Sequence, residues 1–145
     1  MNKIIIPFSD SGCRIPLITL SIDGVEYTAL LDTGSESTLF DYRISESNNY
    51  KKNETDYKMS LVGLSGETEK GRIVEVSTNV SVNDIFNNQY VISINGITSD
   101  LTNVTECINE RYGKHMKVFA VIGSDTLKMY GAKIDYRRQQ LTIKR

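Results

Sequence analysis

In the stretch LLDTGSESTLF, residues 30–40, two leucines run directly into Asp32, Thr33 and Gly34. A carboxylate at the end of an apolar strand is costly unless it is bonded or used. Two readings follow. Asp32 can end the strand in an Asx-type turn, capping backbone N–H groups, or it can be held in place for acid–base chemistry. Gly34 suits both, because it permits backbone angles and close approaches that a Cβ forbids. Other chemistries find little support. The sole histidine, His115, lies beside Lys114 in a polar stretch with no nucleophile-elbow motif near it, which argues against a Ser or Cys triad. Cys13 and Cys107 make no zinc spacing with it and are expected to be thiols. No glycine-rich phosphate motif follows a strand. A paired-carboxylate glycosidase lacks a second carboxylate in comparable context.

The elements that must position Asp32 have a period of two. In IPLITLSIDGVEYTAL, Ile18, Leu20 and Ile22 alternate with polar residues, and Val25, Tyr27 and Ala29 do the same after Asp23-Gly24. That dipeptide is a two-residue hairpin turn, so the second arm delivers the chain into Asp32. Residues 41–58 are polar and aperiodic and read as an exposed loop, with room for a short strand. Residues 59–82 read as a long hairpin whose tip is softened by Gly63, Gly66 and Gly71, and QYVISI reads as a strand. Leu101, Val104 and Ile108 predict one helix, capped by Ser99 and stopped by Gly113. KVFAVIG is a buried strand, SDTLKMYG a short helix with Ser124 or Asp125 as N-cap, and AKIDY and LTIKR strands around the turn RRQQ.

With 145 residues the expectation is one domain, 1–145. A hydrophobic fraction of 39% and a formal net charge of -1 place the chain among ordinary globular proteins and argue against a nucleic-acid partner. No apolar run approaches the ~18 residues of a membrane span. The apolar stretch of MNKIIIPF is shorter than the ~7 to 15 residues of a signal-peptide core, so a cytoplasmic place and no membrane partner are expected. Asn53, Asn79 and Asn103 begin N-x-S/T triplets, read here as coincidence.

Three segments together resemble the retropepsin-like aspartic peptidases. IPLITLSIDGVEYTALLDTGSESTLF looks like that family's entry hairpin and catalytic loop, and SLVGLSGETEKGRIVEV is similar to its flap. AVIGSDTLKMYGAKIDY is similar to its second signature, two apolar residues and a glycine before a short helix and a returning strand. The resemblance implies a mostly β fold, a closed β-barrel with a flap hairpin and one or two short helices. Two departures stand out: residues 97–116 are longer than compact viral members need, so the helix there reads as an insertion, and the chain runs on through RRQQLTIKR. Since viral members build a shared dimer sheet from their chain ends, the interface here is expected to differ.

The resemblance also implies a mechanism and its residues. Aspartic peptidases hold two carboxylates sharing one proton. The ionised one activates water and the protonated one polarises the scissile carbonyl, with no metal or other cofactor. One D-T-G per chain then implies a homodimer pairing Asp32 with its copy. Thr33 would interlock with the partner's loop, Gly34 would bring backbone toward the dyad, and Gly123 would pack beneath the loop. Asp125 would cap the helix or support that loop. Ser35 would either donate to the ionised carboxylate, favouring an optimum of about pH 3–5, or bond the local backbone. Gly63, Leu64, Ser65 and Gly66 would close over an extended peptide, with Leu31, Leu64 and Val121 making pockets apolar. The function so implied is an aspartic endopeptidase acting on peptides or proteins. The alternative is a catalytically silent module of the same fold that binds peptide or mediates assembly.

Overall fold

The computed structural model describes residues 2–9, 15–41, 51–62, 68–112 and 118–145, and of these the side chains of 51–62, 68–74 and 112 are not described. Cys13, Gly63, Leu64, Ser65, Gly66, Gly113 and His115 therefore lie outside the described residues or side chains.

Strands β2 (Leu17–Ile22) and β3 (Val25–Leu31) form the expected hairpin, pairing Ile22 with Val25 and Leu17 with Leu30. Asp23 and Gly24 both take positive φ, 53° and 78°, the left-handed pair that matches strand twist. Ile18, Leu20 and Ile22 are buried as their spacing requires. On β3 the alternation fails at both ends. Val25 is 52% exposed beside the turn, whereas Ala29, Leu30 and Leu31 are all buried because both faces of the strand are covered there.

β3 runs parallel to β8 (Val118–Ile122), and β8 lies antiparallel to β4 (Leu39–Asp41). The chain thus leaves β3, turns through Asp32, and returns as β4 with β8 inserted between the two. β4 continues the sheet through parallel pairing to β7 (Gln89–Ser99), which pairs with β6 (Thr68–Asn83). A single pair, Ser21 with Ser81, joins β6 back to β2 and closes a six-stranded barrel. β5 (Lys51–Val62) extends β6 as a long hairpin beyond that ring. Part of the expected 41–58 loop is therefore strand, since β5 begins at Lys51 and gains its order from pairing with β6.

A second sheet, in the order β1-β10-β9, joins Lys3–Pro7, Gln140–Lys144 and Lys133–Asp135. Ile4, Ile6, Leu141 and Ile143 on its inner face merge with the barrel core around Phe40, Val80, Phe119 and Ala120. Helix α1 (Thr102–Tyr112) covers the other side of β3 and β8. Its Val104 and Ile108, with Leu101 just before it, pack on Leu17, Leu30, Val118 and Val121. The stripe is as the spacing predicts, but Ser99 belongs to β7 and Asp100 accepts from Thr102 N at 2.9 Å. Cys107 on this helix forms no disulfide among the described residues. Helix α2 (Ser124–Met129) begins at Gly123 with no side-chain cap, a correction to the expected Ser124 or Asp125. None of the described helices is long and apolar enough to cross a membrane.

Candidate active site

Asp32 stands where β3 stops. Its backbone N–H still donates to Ile122 O on β8, at 3.0 Å, so the residue is fixed by the last rung of the parallel ladder. Its carbonyl accepts from Ser35 N at 3.2 Å, closing a turn over Thr33 and Gly34. Gly34 N donates to Asp32 Oδ1 at 2.9 Å, and among the described residues this is the carboxylate's one engagement. The Asx-type turn read from the sequence is thus present. It orients the carboxylate through one oxygen. A Cβ on Gly34 would lie 3.2 Å from that same Oδ1. Asp32 is half-buried, and Thr33 and Gly34 are exposed at the tip.

Beneath the tip the loop is locked to the start of α2. Ser35 O accepts from Ser124 N at 2.7 Å, and Glu36 O from Asp125 N at 3.3 Å. Gly123 makes this approach possible, because a Cβ there would sit 2.6 Å from Ser37 C and O and 2.8 Å from Ser35 O. The backbone of Ser35 and Ser37 thus leaves no room for a side chain at Gly123. Ser35 takes the local alternative: its hydroxyl donates to Ser37 O at 2.7 Å, so within one chain it lends nothing to the Asp32 carboxylate. The argument for an acidic optimum loses that support.

Thr38, fully buried, is the residue that sequence reasoning missed. Its Oγ1 donates to Asp125 Oδ1 at 2.7 Å and accepts from Gly123 N at 3.0 Å. A hydroxyl has one proton and two lone pairs, so the 2.7 Å contact with Thr126 Oγ1 must use the Thr126 proton. Thr38 N also donates to Asp125 Oδ2 at 3.1 Å. Asp125 is therefore the support for the loop, reaching it through Thr38 across 87 positions of sequence. Nothing local to STLF marks Thr38 out; only the pairing of β4 beside β8 brings it to Asp125.

Among the described residues, Leu31 and Val121 are both buried. Leu31 belongs to the barrel core, and Val121 is covered by α1, the segment read as an insertion. The glycine-rich segment expected to close over substrate lies outside the described residues. The described residues contain no cluster of three or more His, Cys, Asp or Glu able to hold a metal.

A barrel with an interrupted strand pair, an Asp-Thr-Gly turn at the interruption and a glycine-backed helix beneath it define a retropepsin-like aspartic protease fold. The sequence profile of the Aspartyl protease family matches residues 18–105, more than half of the chain, and the chain belongs to that family. A comparison with curated proteins gave no match. Among solved structures, the retroviral protease-like domain of Ddi1 from Leishmania major is 17% identical, with a TM-score of 0.53 over 88% of this chain and 87% of that one. A retropepsin-like aspartic protease from Rickettsia conorii is 14% identical, with a TM-score of 0.50 over 98% and 88%. Soybean Basic 7S globulin, 9% identical, matches all of this chain with 50% of its own length at a TM-score of 0.63. At these identities the likeness is one of fold.

Proposed function

We propose that the chain is an aspartic endopeptidase that works as a homodimer, with Asp32 of each copy forming the catalytic pair. The observation that carries this reading is the Asp32 turn itself. One carboxylate is oriented through a single oxygen by Gly34 N, anchored at both ends, and set at an exposed tip. Such a group is half of a general acid–base site, and a two-fold axis beside it supplies the other half. Two carboxylates held together titrate in two steps, leaving one ionised to activate water and one protonated to polarise the carbonyl.

Thr33 at the tip is placed to meet the partner's loop, and Gly34 to bring backbone toward the pair. Ser35 and Gly123 hold the loop from below. The β5–β6 hairpin is the element that would carry Gly63, Leu64, Ser65 and Gly66 over an extended peptide, as a flap that excludes water. Neither metal nor cofactor enters the scheme.

The test is cleavage of a mixed peptide library from about pH 3 to 7, with oligomeric state measured alongside. Wild type should cleave with a rate per protomer that rises with concentration, and Asp32→Asn, folded to the same extent, should lose at least about a thousandfold. Cleavage that survives in Asp32→Asn sinks the assignment. Stable peptide binding by a folded dimer with no turnover makes the chain a silent binding module instead.

A further inference from the structure

The last twenty residues, 126–145, hold six of the 17 basic residues of the chain and one of its 18 acidic ones. Five of these six, all but Lys128 on α2, lie on strands β9 and β10 or next to them. On the β1-β10-β9 sheet, Ile4, Ile6, Leu141 and Ile143 point into the core. Alternation therefore sends Lys3, Lys144 and Lys133 to the opposite face, where all three are exposed. Lys3 stands directly across from Lys144, and Lys133 across from Thr142. Like charges in opposed positions weaken a strand pair, so this face is not arranged for the stability of the isolated chain. Arg137 and Arg138 are exposed in the turn that joins β9 to β10, and Arg145 follows β10. The acidic residue among them is Asp135, whose Oδ1 accepts from Arg138 N.

Apolar side chains protrude at two margins of the same sheet. Beyond β1, Ile85 N donates to Ile5 O at 2.9 Å and ties the 84–88 turn to the sheet edge. At its tip Phe86 is 75% exposed and Ile85 39%. This turn is built rather than loose. Asp84, buried, accepts from Phe86 N at 2.9 Å and Asn88 N at 2.8 Å, and Asn87 takes a φ of 67°. A buried carboxylate therefore fixes a phenylalanine in water. At the β9–β10 turn Tyr136 is 61% exposed, its ring resting edge-on against Phe8 at 6.1 Å.

We propose that this face docks on the surface of an anionic lipid bilayer. Lysines spread over a flat sheet meet a plane of negative headgroups, and each adds to the attraction. Phe86 and Ile85 reach the acyl boundary. An acidic polypeptide would be better served by a groove. Here cations cover a face and an exposed apolar turn stands at its margin, which suits an extended plane. The expectation of no membrane partner rested on spanning segments, and a peripheral surface needs none.

Co-sedimentation with vesicles tests this independently of proteolysis. The full chain should sediment with phosphatidylcholine vesicles containing about 30% phosphatidylserine at about 0.1 M salt, and not with phosphatidylcholine alone. Each lysine removed should weaken partitioning about fivefold, so Lys3→Gln with Lys144→Gln should weaken it about 25-fold. Phe86→Ser, at an exposed site that leaves the fold intact, should lower binding at least about fivefold. No association with the anionic vesicles, or equal association with both kinds, overturns the proposal. Equal capture by poly-glutamate beads, unaffected by Phe86→Ser, also overturns it and makes an acidic polypeptide the occupant.

Discussion

Replacing Thr38 by valine removes one oxygen and keeps the shape of a fully buried side chain. The hydroxyl holds three bonds: it donates to Asp125 Oδ1 and accepts from Gly123 N and from Thr126 Oγ1. A bond to a charged group contributes about 1.5–3 kcal/mol and a neutral one about 1 kcal/mol, so the gross loss is roughly 4 kcal/mol. Two recoveries reduce it. Asp125 is exposed enough for water to replace part of its lost partner, and Thr126 can turn its proton elsewhere. Gly123 N has no such recourse, being buried and left without an acceptor. The net cost is about 3 kcal/mol, a fall in Tm of about 10 °C for a chain of this size.

Urea unfolding at fixed protein concentration measures it, with an unchanged m-value as the check that only stability moved. Thr38→Ser keeps the hydroxyl and loses one methyl, so it should cost no more than about 1.5 kcal/mol. A Thr38→Val protein within about 0.5 kcal/mol of wild type, or a Thr38→Ser protein as damaged as the valine variant, would refute the reasoning.

Gly123→Ala should lower stability by at least about 2 kcal/mol, because the added methyl meets the backbone of Ser35 and Ser37 rather than a side chain that can swing away. Thermal melting reads this directly, and a wild-type Tm would contradict the packing assigned to the loop. Thr78→Val should raise stability by about 1 kcal/mol: Thr78 Oγ1 is buried with no partner among the described residues, and the isostere removes that hydroxyl. A loss of stability in the same melt would show that the hydroxyl is bonded after all.

The features legible in the sequence are those whose cause is local. Asp23-Gly24 fixes a turn by its own backbone preferences, and Leu101, Val104 and Ile108 mark a helix face by spacing alone. The Asp32 turn was also visible, since Gly34 bonds it two residues away. What sequence reasoning missed depends on distant partners. Lys3–Pro7, with three consecutive isoleucines, has no period to read and becomes a strand only against Gln140–Lys144. Thr38 acquires its role from Asp125. Val121 looked like a pocket wall, but the helix that covers it comes from the segment set aside as an insertion. Ser35 offered two bonding choices, and Ser37 O, two residues on, takes the proton.

The insertion of β8 between β3 and β4 has a consequence for the order in which the molecule can be made. Every long-range anchor of the Asp32 loop described above comes from residues 122–126: Ile122 O, the N–H groups of Gly123, Ser124 and Asp125, and the side chains of Asp125 and Thr126. Contacts this far apart in the chain form late, after the entropy of closing the intervening loop has been overcome. A nascent chain that has not yet emerged past Val118 carries the Asp-Thr-Gly triplet and its local bonds but lacks the anchors from residues 122–126. The order of synthesis therefore leaves the Asp32 turn without these anchors until β8 and the start of α2 are in place.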